Sequence, residues 1–233
     1  MDITIQAGPQ RIETKVDMGF EMLYLTKARE NGVNIVDMIF DKITMDMKSP
    51  QMSGAYSSAT KNETDPFALK IAENFKGVLN NPVAMHINTK GEFTEVIDIA
   101  KAFPQIPIQK ANELKEQMSN QFIQFPEKKV KLGERWKRAT SMNQVGDLEY
   151  TYTLVGIDKD KLILSVEGKM LNGESATVKL LGALISGEIT LDKKTGETLA
   201  STVIMDMEME MQAQGTVMEM NMKAEIDIIA TQL

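Results

Sequence analysis

The chain has no cysteine, one histidine and one tryptophan among its 233 residues. Without a thiol there can be no disulfide, no cysteine nucleophile, no cysteine-ligated zinc and no iron–sulfur cluster. The lack of cross-links is no obstacle to stability, since a chain of this size buries roughly 70% of its unfolded surface on folding. It also leaves the redox compartment undetermined. No stretch approaches the ~20 consecutive apolar residues of a membrane-spanning helix. Positive charge is short as well: the formal net charge is −7 and the isoelectric point is near 5.0, with no basic stripe to collect phosphates, so no nucleic-acid partner is expected. The densest basic run (Lys128, Lys129, Lys131, Arg135, Lys137, Arg138) is diluted by Glu127 and Glu134 and reads as solvated surface.

Enzyme signatures are missing too. There is no Gly-x-Ser-x-Gly elbow, no phosphate-binding loop, no dinucleotide fingerprint and no His-Glu-x-x-His. His86 lies in Val83-Ala84-Met85-His86-Ile87-Asn88, where alternation puts it on the polar side with Asn88. An ordinary strand residue is the simpler reading. No Asp-x-Asp-x-Asp-Gly calcium loop is present. Trp136 reads as a packing anchor that opens the second β region. We therefore expect no enzyme, no catalytic residues and no cofactor, and none of these motifs supplies a metal site.

What the chain does have is long period-two alternation. Ile12, Val16, Met18, Phe20, Met22 and Tyr24 mark one half-buried strand, and a second runs from Val33 to about Lys48. Ser49 to Asp65 is small and polar and reads as a surface loop. Asp65-Pro66 supplies a helix N-cap and an N1 proline, and helical spacing of Phe67, Ile71, Phe75, Val78 and Leu79 predicts a helix over 66–79. Two strands around Thr89-Lys90-Gly91 form a hairpin. A second helix is predicted over 109–125, with Leu114, Met118, Phe122 and Phe125 near one face. Strands return over 148–157, 160–167, 174–191, 197–213 and 216–229. The expected fold is α+β: one large curved antiparallel sheet with two helices packed on one face. It forms a single domain over 1–233, built of a β meander at 1–48, helices and hairpin at 66–125, and a β meander at 142–229. Similar turn sequences in the two halves, such as Lys90-Gly91-Glu92 and Thr195-Gly196-Glu197, leave open a two-half repeat or chance recurrence.

The strongest local signal is a methionine ladder. Met205, Met207, Met209 and Met211 alternate with Asp206, Glu208, Glu210 and Gln212. After a turn at Gln214-Gly215, Met218, Met220 and Met222 alternate with Glu219, Asn221 and Lys223. Period two puts every thioether on one face and the charges on the other. Met45 and Met47 alternate in the same way, and Phe75 and Phe122, on the stripes of the two predicted helices, complete a candidate apolar wall. Methionine is flexible and polarizable where β-branched residues would specify tight packing. Three readings stay open: a loosely packed core, a deformable wall for an apolar ligand, and a soft-metal site. The last lacks any histidine in the ladder.

Several segments in order carry a resemblance. They are Met45-Asp46-Met47-Lys48-Ser49-Pro50, then Asp65-Pro66-Phe67, then Asn88-Thr89-Lys90-Gly91-Glu92 with Val96. Leu132-Gly133-Glu134-Arg135-Trp136 follows, then Gly187 to Asp192 through Thr195-Gly196, and the closing methionine hairpin. From about Arg11 to Ile228 the chain resembles a family of uncharacterised envelope lipoproteins of Gram-negative bacteria, known as a domain of unknown function. The resemblance implies an exported protein, periplasmic or anchored to the outer membrane. Such a protein would touch the membrane only through an N-terminal lipid anchor that has been removed. In keeping with that, Met1 to Gln6 alternates like a strand rather than a signal peptide. The layout is also similar to the half-barrel of lipoprotein carriers, which implies a lipid or a lipoprotein acyl chain as partner. An envelope module with no small-molecule ligand is the other expectation, and oligomeric state is left open.

Overall fold

The computed structural model describes residues 1–61, 64–77, 79–88, 93–97, 123–142, 146–172, 178–213 and 216–230. The chain divides into two compact units, one of residues 1–14 with 126–233 and the other of residues 15–125. Among the described residues every pairing between strands is antiparallel.

The first unit holds β1 (Asp2–Ala7), the opening residues of β2 (Gln10–Glu30) and six more strands. These are β7 (Arg135–Met142), β8 (Gly146–Asp158), β9 (Lys161–Asn172), β10 (Val178–Asp192), β11 (Thr198–Ala213) and β12 (Thr216–Ile229). Their spatial order is β1-β12-β11-β10-β9-β8-β7. The chain therefore meanders from β7 to β12, and β1 joins the last strand made. Alternation sends Leu148, Leu154, Leu164, Val166, Ile185 and Leu191 to one face, where each is buried. Trp136 stacks on Tyr152 at a centroid distance of 5.4 Å and an interplanar angle of 24°, so it packs as an anchor between β7 and β8. Burial pushes the Tyr152 hydroxyl up to about 12.

The second unit holds the rest of β2, β3 (Val33–Lys48), β4 (Ser53–Ser57), α1 (Pro66–Phe75), β5 (Val83–Asn88) and β6 (Phe93–Ile97), with strand order β6-β5-β3-β2. Strand β3 is long enough to serve two partners: Val33–Met38 pairs with β5, and Thr44–Lys48 pairs with β4. Asn31 and Gly32 turn β2 into β3 with φ of 51° and 81°, the left-handed region that asparagine and glycine enter most readily. Asp65 caps α1 by accepting from the Ala68 amide at 3.0 Å, and Pro66 sits where its missing N–H costs nothing. The helix seats Ala68 on Ile43 and Tyr56.

These observations correct the α+β expectation. The protein is mostly β, and two helices packed on one face of the sheet are not seen; among the described residues α1 is the one helix. Most of the predicted helix over 109–125 lies outside the described residues, and its last residues, 123–125, are not helical. Helix α1 also stops at Phe75 rather than Leu79. Gly77 follows the C-cap Lys76, and with no side chain it loses the most backbone freedom in a helix. The segment read as a loop contains β4. Its small residues pair with β3 because they let α1 approach: a Cβ on Gly54 would stand 2.5 Å from the Phe67 ring.

The β10–β11 turn depends on one carboxylate. Asp192 Oδ1 accepts from the amides of Lys194 (2.8 Å) and Thr195 (2.7 Å) and from the Thr195 hydroxyl (3.1 Å). The Thr195 amide chiefly, then the Thr195 hydroxyl and the Lys194 amide, hold this carboxyl below its usual range. A depressed carboxyl contributes stability above its unfolded pKa and loses it as pH falls through the lower folded value. Asp192→Ala is therefore expected to be less stable than the parent at pH 7, with the gap narrowing below about pH 4. Urea melts at pH 7, 4 and 3 check this; a gap that stays constant would exclude the linkage.

Candidate functional site

The methionine ladder folds into a hairpin whose register opposes thioether to thioether. Met207 faces Met222, Met209 faces Met220 and Met211 faces Met218, while Met205 faces Ala224. Directly opposed side chains in an antiparallel pair have Cβ atoms about 4.5–5.5 Å apart, so each pair is in contact range. The rows extend sideways. Leu180 of β10, Met209, Met220 and Ile5 of β1 form one; Ala183, Met207, Met222 and Ile3 form the next.

Burial is graded across the hairpin. Met207 and Met209 on β11 are 3% and 7% exposed and belong to a core cluster with Leu148, Leu180, Ala183 and Ile185. Met205, Met211, Met218, Met220 and Met222 are half-buried. Met207 and Met209 in the middle of β11 are thus the closed part of the wall, and the ends of its β11 row and the β12 thioethers are the accessible part.

The other candidates lie elsewhere. Met45 and Phe75 pack against the cluster of Ile43, Tyr56 and Ala68 under α1, in the second unit. Met47, half-buried, stands in register with Val16 of β2 and Gly54 of β4 in the same unit. The sequence joined these residues to the ladder through a shared pattern; none of the three belongs to the core cluster that holds Met207 and Met209. Phe122 lies outside the described residues. His86 is half-buried on β5, in register with Ile35 of β3.

The opposite face of the hairpin carries the charges. Lys223 pairs with Asp206 at 3.1 Å, the Thr202 hydroxyl donates to Asp227 at 2.6 Å, and Glu210 stands directly opposite Glu219. Farther along that face, Lys137 and Lys169 bracket Glu149 at 2.9 and 3.4 Å. The hydrogen bond from Lys137, with the charges of both lysines, holds the Glu149 carboxyl below its usual range. These groups line an open cleft of about 650 Å³ with Arg135, Trp136, Thr151 and Glu167. A second cleft of about 450 Å³, between β4 and α1, is lined by Tyr56, Ser57, Ser58, Thr60, Glu73 and Lys76 among others. No methionine of the ladder lines either of these two. The feature that stands out at the level of chemistry is therefore the apolar wall itself. Sequence reasoning missed the flanking β1 and β10 residues that widen it, because their placement depends on which strands become neighbours.

Among the described residues, no helix is long and apolar enough to cross a membrane. No curated protein matches the chain. The model of a family described as of unknown function (DUF6263) matches residues 31–122 and residues 108–198.

Proposed function

The chain belongs to the DUF6263 family, whose function is unknown, and from that premise we propose that it is a non-enzymatic domain of the Gram-negative cell envelope that holds an apolar ligand against its methionine face. The ligand is a lipid or a lipoprotein acyl chain. The observation that carries this reading is the graded wall: a half-buried row on β12 beside the buried pair Met207 and Met209 on β11. From Met218 to Ala224 that row is about 20 Å long at roughly 3.3 Å per residue. One leaflet of a bilayer, about half of a ~30 Å hydrocarbon core, is shorter, so an acyl chain can lie along the row. Methionine suits a wall that must adapt to a flexible chain, because its unbranched side chain has three rotatable bonds. The envelope setting, periplasmic or outer-membrane-anchored, rests on the ordered motifs and the resemblance they carry.

A second reading is favoured by the burial of Met207 and Met209 within a packed cluster: a structural or protein-interaction module whose methionines are core. The two readings part on substitution. Met207→Leu, Met209→Leu and Met220→Leu roughly conserve volume and should each cost under about 1.5 kcal/mol. On the ligand reading they nevertheless change affinity for a long-chain fluorescent fatty-acid probe, since leucine adapts less well. If parent and variants bind the probe alike, or none binds it, the ladder is core. Native mass spectrometry of gently purified protein provides an independent check, because a co-purifying lipid would favour the first reading.

A further inference from the structure

We propose that Met211, Met218 and Met220, at the end of the hairpin where β11 passes into β12, form a binding site for a soft monovalent cation, Cu(I) or Ag(I). Such a site stands independently of an acyl ligand, since it needs only register, exposure and donor chemistry. Thioethers are soft donors that select ions of this kind, and without a histidine in the ladder several must converge on one ion. Register supplies the convergence. Met211 stands directly opposite Met218, and Met220 is the next residue of β12 on the same face, diagonal to Met211. Opposed Cβ atoms lie about 4.5–5.5 Å apart and diagonal neighbours about 7–8 Å, within reach of long side chains. A methionine sulfur lies two bonds beyond Cβ on an unbranched chain with three rotatable bonds, so the three sulfurs can meet above the centre of this triangle. Burial selects the place. Met211 and Met218 are the opposed thioether pair of the hairpin in which both members are half-buried, and Met220 beside them is half-buried too. Met207 and Met209 are committed to the packed cluster.

The surroundings decide which ion. On their own face the thioethers have apolar neighbours: Val178 of β10 stands in register with Met211, and Ile5 of β1 with Met220. A hard cation would give up its water there with no oxygen to replace it. The carboxylates of the hairpin alternate to the other face, and among the described residues no group of three or more His, Asp or Glu side chains could hold a metal ion. A soft cation loses less, because polarizable sulfur replaces its shell. Its charge is met from behind. Glu210 faces Glu219 on the opposite side of the same strand pair, between the Met209–Met220 and Met211–Met218 pairs, with Lys179 of β10 beyond Glu210. Like charges directly opposed are destabilising, and among the described residues no salt bridge reaches either carboxylate. A cation on the thioethers is separated from these two by one layer of backbone and offsets their repulsion.

The test uses the full chain, isotope-labelled at its methionine methyl groups, in chloride-free buffer, with silver nitrate added and the methyl signals followed by NMR. A single equivalent of Ag(I) is expected to shift and saturate the signals of Met211, Met218 and Met220. Met52, 51% exposed and outside any strand, should stay in place. Met211→Leu and Met218→Leu roughly conserve volume, and each should lower Ag(I) affinity at least about tenfold with a near-parental thermal melt. Cu(I), presented without oxygen against bicinchoninate as competitor, should show the same loss, and Zn(II) should leave the three signals unmoved. Absence of a saturating shift in the parent, movement of Met52 along with the three, the same shift with Zn(II), or unchanged affinity in both variants would overturn the proposal.

Discussion

Met207→Ala is expected to lower the free energy of unfolding by about 2–5 kcal/mol, the range for large-to-small changes in a packed core. Met207 is 3% exposed and belongs to the core cluster with Leu148, Leu180, Ala183 and Ile185, so removing its side chain leaves a cavity in packed surroundings. Met218→Ala, half-buried beside the hairpin turn, removes the same atoms where the site can collapse or admit water, and should cost clearly less. Equilibrium urea unfolding of the two variants beside the parent gives the comparison. Equal losses would mean that the burial gradient across the ladder has no energetic counterpart, and the division into a closed and an accessible side would fall with it.

The second large effect concerns a glycine. A Cβ on Gly187 would stand 2.3 Å from the Thr202 carbonyl oxygen and 2.9 Å from the Val203 Cα, both backbone atoms of the adjoining strand. Backbone cannot step aside as a side chain can, so Gly187→Ala must separate β10 from β11 locally and should cost about 1–3 kcal/mol or more. At Gly182, on the same strand at a register shift, a Cβ would meet nothing within 4 Å. Gly182→Ala is expected to be neutral or to stabilise by about 0.4–1 kcal/mol, through the smaller entropy of the unfolded chain. Hydrogen exchange along β10 with both variants separates a local parting of the strands from a general loss of stability.

Much of the strand layout was legible because its signals are local. The strand read from Val33 to about Lys48 is β3, Val33–Lys48, and Asn31 and Gly32 turn the chain into it. Asp65-Pro66 started a helix where a cap and an N1 proline belong. The two-faced methionine hairpin followed from period two alone. What was not legible depended on distant partners. Ser53–Ser57 has no strand pattern of its own and becomes β4 only through β3 and the nearby Phe67. Period two also tells which residues share a face, not whether anything covers it. Met18, Phe20 and Tyr24 were read as the apolar side of a half-buried strand and are 44%, 42% and 46% exposed. For the same reason Met45, Met47 and Phe75 could not be told from the ladder by pattern.

The pairing of β1 with β12 has a consequence for how the chain comes to be folded. Ile3 and Ile5 cannot meet Met222 and Met220 until the chain as far as β12 has left the ribosome. Residues 15–125 emerge complete much earlier and can assemble on their own local contacts. The entropy of closing so long a loop grows only logarithmically with its length, so the delay is one of synthesis time more than of thermodynamics. Throughout that interval β1 waits with its backbone unpaired on the β12 side, exposed to chaperones, proteases and neighbouring nascent chains.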